Sequence, residues 1–169
     1  MTGRAQTHDD FAQFAEQATP ALLRTAWLLC GDAELSRDIV QSALVKAYLA
    51  WPRIRRPEAM AYVRRIVVNE RTDAWRRTRH EISTDQIETY SPAVEHNSPI
   101  ERRAELVHLL RGLPVGQRTV IVLRYYADLS EQQTAQELGI SVGAVKSAAS
   151  RGLRTLRELA AREGVEHAD

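Results

Sequence analysis

Apolar residues recur at helical spacing along most of the chain, glycine and proline are sparse, and runs of β-branched residues are short. This pattern predicts an all-α protein. The first helical stretch runs from about Asp10 to Leu29, with Phe11, Phe14, Ala18, Leu22, Ala26 and Leu29 on one side. Pro20 is expected to kink or divide it. Gly31 ends this helix and Asp32 caps the next. The second helix reaches about Trp51 and turns Leu35, Ile39, Ala43, Ala47 and Ala50, or their neighbours, inward. Pro52 and Pro57 bracket a short basic connection, Arg53-Ile54-Arg55-Arg56. A third helix follows to about His80. Its period places Ala59, Val63, Ile66, Val67 and Ala74 inward and Arg64, Val68, Arg71, Trp75 and Arg79 outward.

From His80 to Ser98 the helical period disappears in a polar, acidic, proline-containing stretch. A loop of that length is unusual inside one small domain, so it is read as a linker. The expected organisation is two small helical domains, residues 8–80 and 99–161, joined by a flexible acidic linker over 81–98. In the second domain Ser98 caps a helix that has Pro99 in its first turn and runs to about Leu113. Pro114 opens another through Val120, Leu123 and Tyr126.

The end of the chain carries the clearest local motif. Ser130 and Gln133 form a capping box for a short helix that stops at Gly139. Ile140 follows, and Ser141 caps a new helix. A tight helix-turn-helix needs a small residue where the helices touch, a turn residue tolerant of positive φ, and an apolar residue securing the second helix. Ala135, Gly139 and Val145 supply these, and Leu138 and Ile140 fill the angle. Projected at 100° per residue, Val145, Ala149, Leu153, Leu156 and Ala160 form a buried stripe. Gly143, Ser147, Ser150, Arg151 and Arg154 face the other way, flanked by Ala144 and Lys146. That face is small, hydroxylated and basic, with no acid before Glu158, which suits entry into a major groove. The bland alternative is the solvated basic face of an ordinary bundle.

Charge distribution sharpens this picture where bulk composition does not. The 169 residues are 44% hydrophobic and 27% charged, with a formal net charge of only +1. Residues 51–79 carry nine arginines and three acids; residues 80–101 carry five acids and no Lys or Arg; residues 141–157 carry four cations and no acid. Two basic stretches around an acidic one imply two separate anionic contacts. Periodicity leaves Trp75 with two readings: an aromatic among arginines that meets unpaired bases, or a core-edge ring with arginine stems laid around it.

Other chemistry is sparse. Cys30 is the one cysteine, which excludes an internal disulfide, and it reads as a buried small hydrophobe. Histidines 8, 80, 96, 108 and 167 are scattered, without a carboxylate or cysteine at ligand spacing. No enzyme, metal or cofactor is expected. No apolar run approaches the ~20 residues of a membrane helix, and the polar first ten residues lack a hydrophobic signal region. A cytoplasmic protein is expected.

Three stretches, in order, resemble an extracytoplasmic-function (group IV, sigma-70 family) sigma factor of RNA polymerase, of the kind common in actinobacteria. Asp38-Ile39-Val40-Gln41-Ser42-Ala43-Leu44-Val45-Lys46-Ala47-Tyr48 is similar to the family's polymerase-binding helix. Tyr62 through Arg77 resembles its promoter-melting, −10-reading helix, and Leu113 through Arg157 its −35-reading domain. The resemblance implies that Asp38, Gln41, Ser42, Val45 and Tyr48 dock on core RNA polymerase, chiefly the clamp of its β′ subunit, with β as the other contact. It implies that Arg53, Arg55, Arg56, Asn69 and Trp75 capture flipped-out bases near the −10 element, and that Arg64, Arg65, Arg71, Arg76, Arg77 and Arg79 hold phosphates. Ser141, Gly143, Ala144, Lys146, Ser147, Ser150, Arg151 and Arg154 are implied at the −35 element, with Arg118 and Arg124 on nearby phosphates. An anti-sigma protein that holds the two modules is also implied, though no residue identifies it. The chain departs from the pattern at Ala148, where many members have arginine after Lys-Ser, and at Asp38-Ile39-Val40, where leucine is commoner than isoleucine. A DNA-binding regulator acting without polymerase is one rival; it explains 130–157 but not the earlier helices. A helical protein-interaction module that never touches DNA is another, and it leaves the acid-free recognition face unexplained.

Overall fold

The computed structural model describes the backbone of residues 2–81 and 99–166, and the side chains of residues 7–72 and 103–162. Apart from Glu81, the expected linker lies outside the described residues. So do the side chains of Trp75, Arg76, Arg77 and Arg79.

The described elements are helical, as expected. Helix α1 is Thr2–Cys30, α2 Ala33–Ala50, α3 Ala59–Glu81, α4 Pro99–Arg111, α5 Val115–Ile121, α6 Glu131–Leu138 and α7 Val142–Glu166. Single 3-10 turns at Trp51–Arg53 and Arg56–Glu58 link α2 to α3, and a π-helical turn, Val122–Tyr126, continues α5. Pro20 does not divide the chain into two elements: α1 is one helix across it. Ala18 and Leu22, on either side, are buried, and their packing keeps the chain helical through a residue that removes one backbone hydrogen bond.

The first three helices enclose a core of Ala18, Leu22, Ala26, Ile39, Val40, Ala43, Ala47, Val63 and Val67. Ala43 and Ala47 have no exposed surface; their small side chains let α2 lie close against α1 and α3. Asp32 accepts the Leu35 N–H at 2.8 Å, capping α2. Leu35 itself, expected inward, stays partly in solvent. Trp51 closes the end of this core with 0% exposure, its ring centroid 5.1 Å from Phe11 and 5.0 Å from Phe14.

The helix-turn-helix forms as its sequence specifies. Ser130 Oγ accepts the Gln133 N–H at 3.1 Å, and Gln133 Oε1 accepts the Ser130 N–H at 2.8 Å. Gly139 sits at φ +65°, the left-handed region. Val120, Ala135, Val145 and Ala149 make the small core between α5, α6 and α7. Leu153 and Leu156 of the expected stripe are half-buried, but Ala160 is exposed. Glycine is required on α7 for a different reason: a Cβ on Gly152 would stand 2.9 Å from Ile121 Cγ1 and 3.4 Å from Gln117 Cβ. Gly152→Val is therefore expected to cost about 1–3 kcal/mol by overpacking. Urea denaturation checks it, and an unchanged midpoint would refute the close approach.

A further core joins the two halves of the chain. Leu28 and Leu29 of α1 and Val68 of α3 pack with Val107, Leu110, Leu113, Ile121, Val122, Leu123 and Leu129. Gly31, at φ +72°, stands so near α4 that a Cβ there would meet Arg111 Cδ at 2.8 Å. The face of α3 expected to be outward is thus a second inward face. Val68 and Arg71 are both buried, at 7% and 5% exposure. The period of α3 reports only that they point away from the first core; it does not report that another core begins there.

Candidate nucleic-acid interface

The outer face of α7 is open. Ser141, Gly143, Ala144, Lys146, Ser147, Ser150, Arg151 and Arg154 are all exposed. Ser141 Oγ accepts the Ala144 N–H at 3.1 Å, which fixes the helix start and leaves its other first-turn N–H groups for an anion. Arg151 Nε donates to the Ser147 carbonyl at 3.3 Å, so the guanidinium lies along the helix over the small residues. Lys146 Nζ stands 3.6 Å from Glu131 Oε2 with both side chains well solvated. Such a pair contributes little and yields easily to a phosphate.

On α2, Asp38, Gln41, Val45 and Tyr48 are exposed as expected, together with Leu49. Val45 and Tyr48 help line an apolar groove of about 670 Å³ whose opposite wall includes Phe11 and Leu23 of α1. An open groove between two helices, with large apolar side chains left in water, has the form of a helix-docking surface. Ser42 is turned inward instead: its hydroxyl donates to Glu70 Oε1 at 2.9 Å, and Lys46 pairs with the same carboxylate at 2.7 Å. Ser42 thus ties α2 to α3.

The basic side chains of the first half divide into two groups. Arg53 and Arg65 are exposed and ready for a ligand, as is the neutral amide of Asn69. Arg55 is exposed and pairs with Glu58 at 2.8 Å. Arg56 lies 4.0 Å over the Trp51 ring and donates to Asp10 Oδ2 at 2.6 Å and to the carbonyls of Trp51 and Ile54. It shapes the loop around Trp51. Arg64 is engaged by the other half of the chain: its Nε and Nη2 each lie 2.9 Å from a Glu137 carboxylate oxygen, with side chains 12% and 6% exposed. A cleft of about 760 Å³ opens beside this pair, walled by Arg53, Arg55, Tyr62 and Arg65 on one side and Gln133 and Gln136 on the other.

Two expected phosphate contacts are corrected. Arg118 is buried and donates to the carbonyls of Leu29 at 2.9 Å, Arg111 at 3.0 Å and Leu113 at 3.3 Å. Burial, helped by the nearby positive charges of Arg71 and Arg111, pulls its pKa down to about 10. Arg71 is likewise buried, with burial lowering its pKa. In this arrangement neither can reach a phosphate; Arg118 stitches the halves together. Arg124 donates to the Leu129 carbonyl and shapes the turn before α6. Cys30 lies half-buried near these arginines, and burial raises its thiol pKa. Nothing local in the sequence marks Glu137, whose meaning depends on Arg64 lying opposite. Among the described residues, no group of three or more His, Cys, Asp or Glu could hold a metal, and no helix is long and apolar enough to cross a membrane.

Residues 14–81 match the sigma-70 region 2 model, and residues 103–156 match the model described as sigma-70, region 4. The chain belongs to the sigma-70 family. Among sigma-70 relatives, it is 38% identical over 151 residues to the RNA polymerase sigma-E factor of Streptomyces coelicolor, covering 88% of this chain and 85% of that one. It is 33% identical over 154 residues to the ECF RNA polymerase sigma factor SigL of Mycobacterium tuberculosis, covering 84% of each. Among solved structures, it resembles the sigma factor RpoE in complex with the anti-sigma factor NepR from Bartonella quintana, with TM-score 0.74 and 25% identity, covering 89% of this chain and 96% of that one. It also resembles CnrH in complex with the cytosolic domain of CnrY, with TM-score 0.70 and 25% identity, covering 94% of each. The region 2 match spans α2 with its exposed groove and the basic α3; the region 4 match ends on α7 with its acid-free face.

Proposed function

We propose that this protein is a sigma factor that binds core RNA polymerase, through its β′ and β subunits, and directs promoter-specific initiation from −10 and −35 elements. The observation that carries the reading is the pairing, in one chain, of an exposed, acid-free recognition face on α7 with a region 2 framework presenting an apolar groove on α2. The functional units are residues 8–80, the acidic segment 81–98, and residues 99–161. Asp38, Gln41, Val45 and Tyr48 dock on polymerase. Arg53, Arg55, Arg65 and Asn69, with Trp75, Arg76, Arg77 and Arg79 further along α3, engage the melted −10 strand. Unpairing and unstacking cost a few kcal/mol, which base and phosphate contacts to the displaced strand offset. The α7 face enters the major groove at −35. The protein carries out no bond chemistry itself and acts in the cytoplasm beside polymerase. An anti-sigma partner, as in the RpoE–NepR complex, is the expected form of control.

Run-off transcription with purified core polymerase tests the reading. The expected result is initiation at defined promoters only when the protein is added. A chain that binds duplex DNA but adds nothing to core is instead a stand-alone helix-turn-helix regulator.

A further inference from the structure

We propose that Glu137 is a built-in competitor for promoter DNA: its carboxylate occupies, on Arg64, the place that a backbone phosphate takes when the −10 strand is bound. The inference rests on the sigma reading above. Arg64 presents Nε and Nη2 to the two oxygens of one carboxylate, each at 2.9 Å. The same fork grips a phosphate in the same two-point manner. Glu137 belongs to α6, the first helix of the helix-turn-helix, so the pair ties the −35 module onto the −10 module. It does so beside the cleft lined by Arg53, Arg55 and Arg65, with Gln133 and Gln136 of α6 as the facing wall. DNA cannot take Arg64 while Glu137 holds it, and a strand in the cleft must displace α6.

The rest of the seam makes the closed form breakable. The shared apolar core around Leu28, Leu29 and Val68 holds it shut. Against this, closure buries Arg71 and Arg118, and among the described residues neither pairs with a carboxylate. Arg71 Nη1 and Arg118 Nε lack hydrogen-bond partners. The carbonyls of Leu29, Arg111 and Leu113 offset part of this for Arg118, but charge buried without a counter-ion still works against closure. Glu137 is thus the one acid that compensates a cation across the seam among the described ion pairs. Removing it leaves Arg64 buried and unpaired, which favours opening.

The test uses the full chain with donor and acceptor dyes at exposed Arg37 and Arg154, without polymerase, alongside binding of a fluorescein-labelled single-stranded oligonucleotide. Glu137→Gln keeps the shape and loses the charge. It is expected to raise the open fraction at least on the order of tenfold and to tighten single-strand binding by a similar factor. Run-off at saturating core is expected to stay unchanged. Glu137→Lys, which sets like charges together, must open the chain further, and far-UV circular dichroism confirms that both variants remain helical. A Glu137→Lys chain that stays closed, or one that opens without binding the strand more tightly, overturns the proposal. Because the distance readout needs no polymerase, a failure of the sigma reading would appear separately, as wild-type protein inactive in run-off.

Discussion

Trp51→Ala is expected to destabilise the protein by about 3–5 kcal/mol, the range for truncating a fully buried large aromatic. Trp51 has no exposed surface, and it fills the angle where α1, α2 and the turn into α3 meet. Its removal empties the space against Phe11 and Phe14, whose rings lie 5.1 and 5.0 Å away. It also removes the ring beneath the Arg56 guanidinium, a contact of about 0.5–1 kcal/mol where solvent reaches it. Loss of that support frees the Arg53–Arg56 loop, so single-strand binding should weaken as well. Trp51→Phe, which keeps an aromatic in the site, should cost clearly less. Denaturant unfolding gives the numbers, and a cost under 1 kcal/mol for the alanine variant would show that Trp51 does not anchor this corner.

The second large effect is a separation of functions. Arg151→Ala is expected to weaken recognition of a −35 duplex by about 1–3 kcal/mol, the usual cost of losing one arginine–base contact, and to leave polymerase binding intact. Asp38→Ala combined with Gln41→Ala should do the reverse. Both sites are exposed and lie on different elements, α7 and α2, so neither change disturbs a core. Fluorescence anisotropy on a −35 duplex and co-elution with core polymerase measure the two properties. If both variants lost the same one, the assignment of these surfaces would be wrong.

The parts of the molecule that could be read in advance are those governed by neighbours in sequence. The Ser130–Gln133 box, the left-handed Gly139, the Ser141 cap and the exposed α7 face all depend on residues a few positions apart. The stripe Arg64–Val68–Arg71 shows where local reading stops. Its spacing of four and three residues correctly puts the three on one face of α3. Whether that face meets water or protein is decided by α4, α5 and α6, which arrive later in the chain. Arginine deepens the ambiguity, because the residue type that best suits phosphate also suits a carboxylate or a ring of carbonyls. Arg64 and Arg118 took those other partners. Ser42 is a smaller case of the same kind, spent on Glu70 rather than on a docking face.

The core shared between the halves also sets a timetable for synthesis. Leu28, Leu29 and Val68 leave the ribosome well before the residues that cover them, of which the last buried one is Leu129, with Leu138, Leu153 and Leu156 packing on later still. At ordinary elongation rates the roughly sixty residues from Val68 to Leu129 take about 3–12 s. During that interval the three-helix half can already fold around Trp51 and Leu22, with an apolar strip and Arg71 still in water. Each newly made chain therefore passes through a period in which its first half is complete and its second half cannot yet cover it.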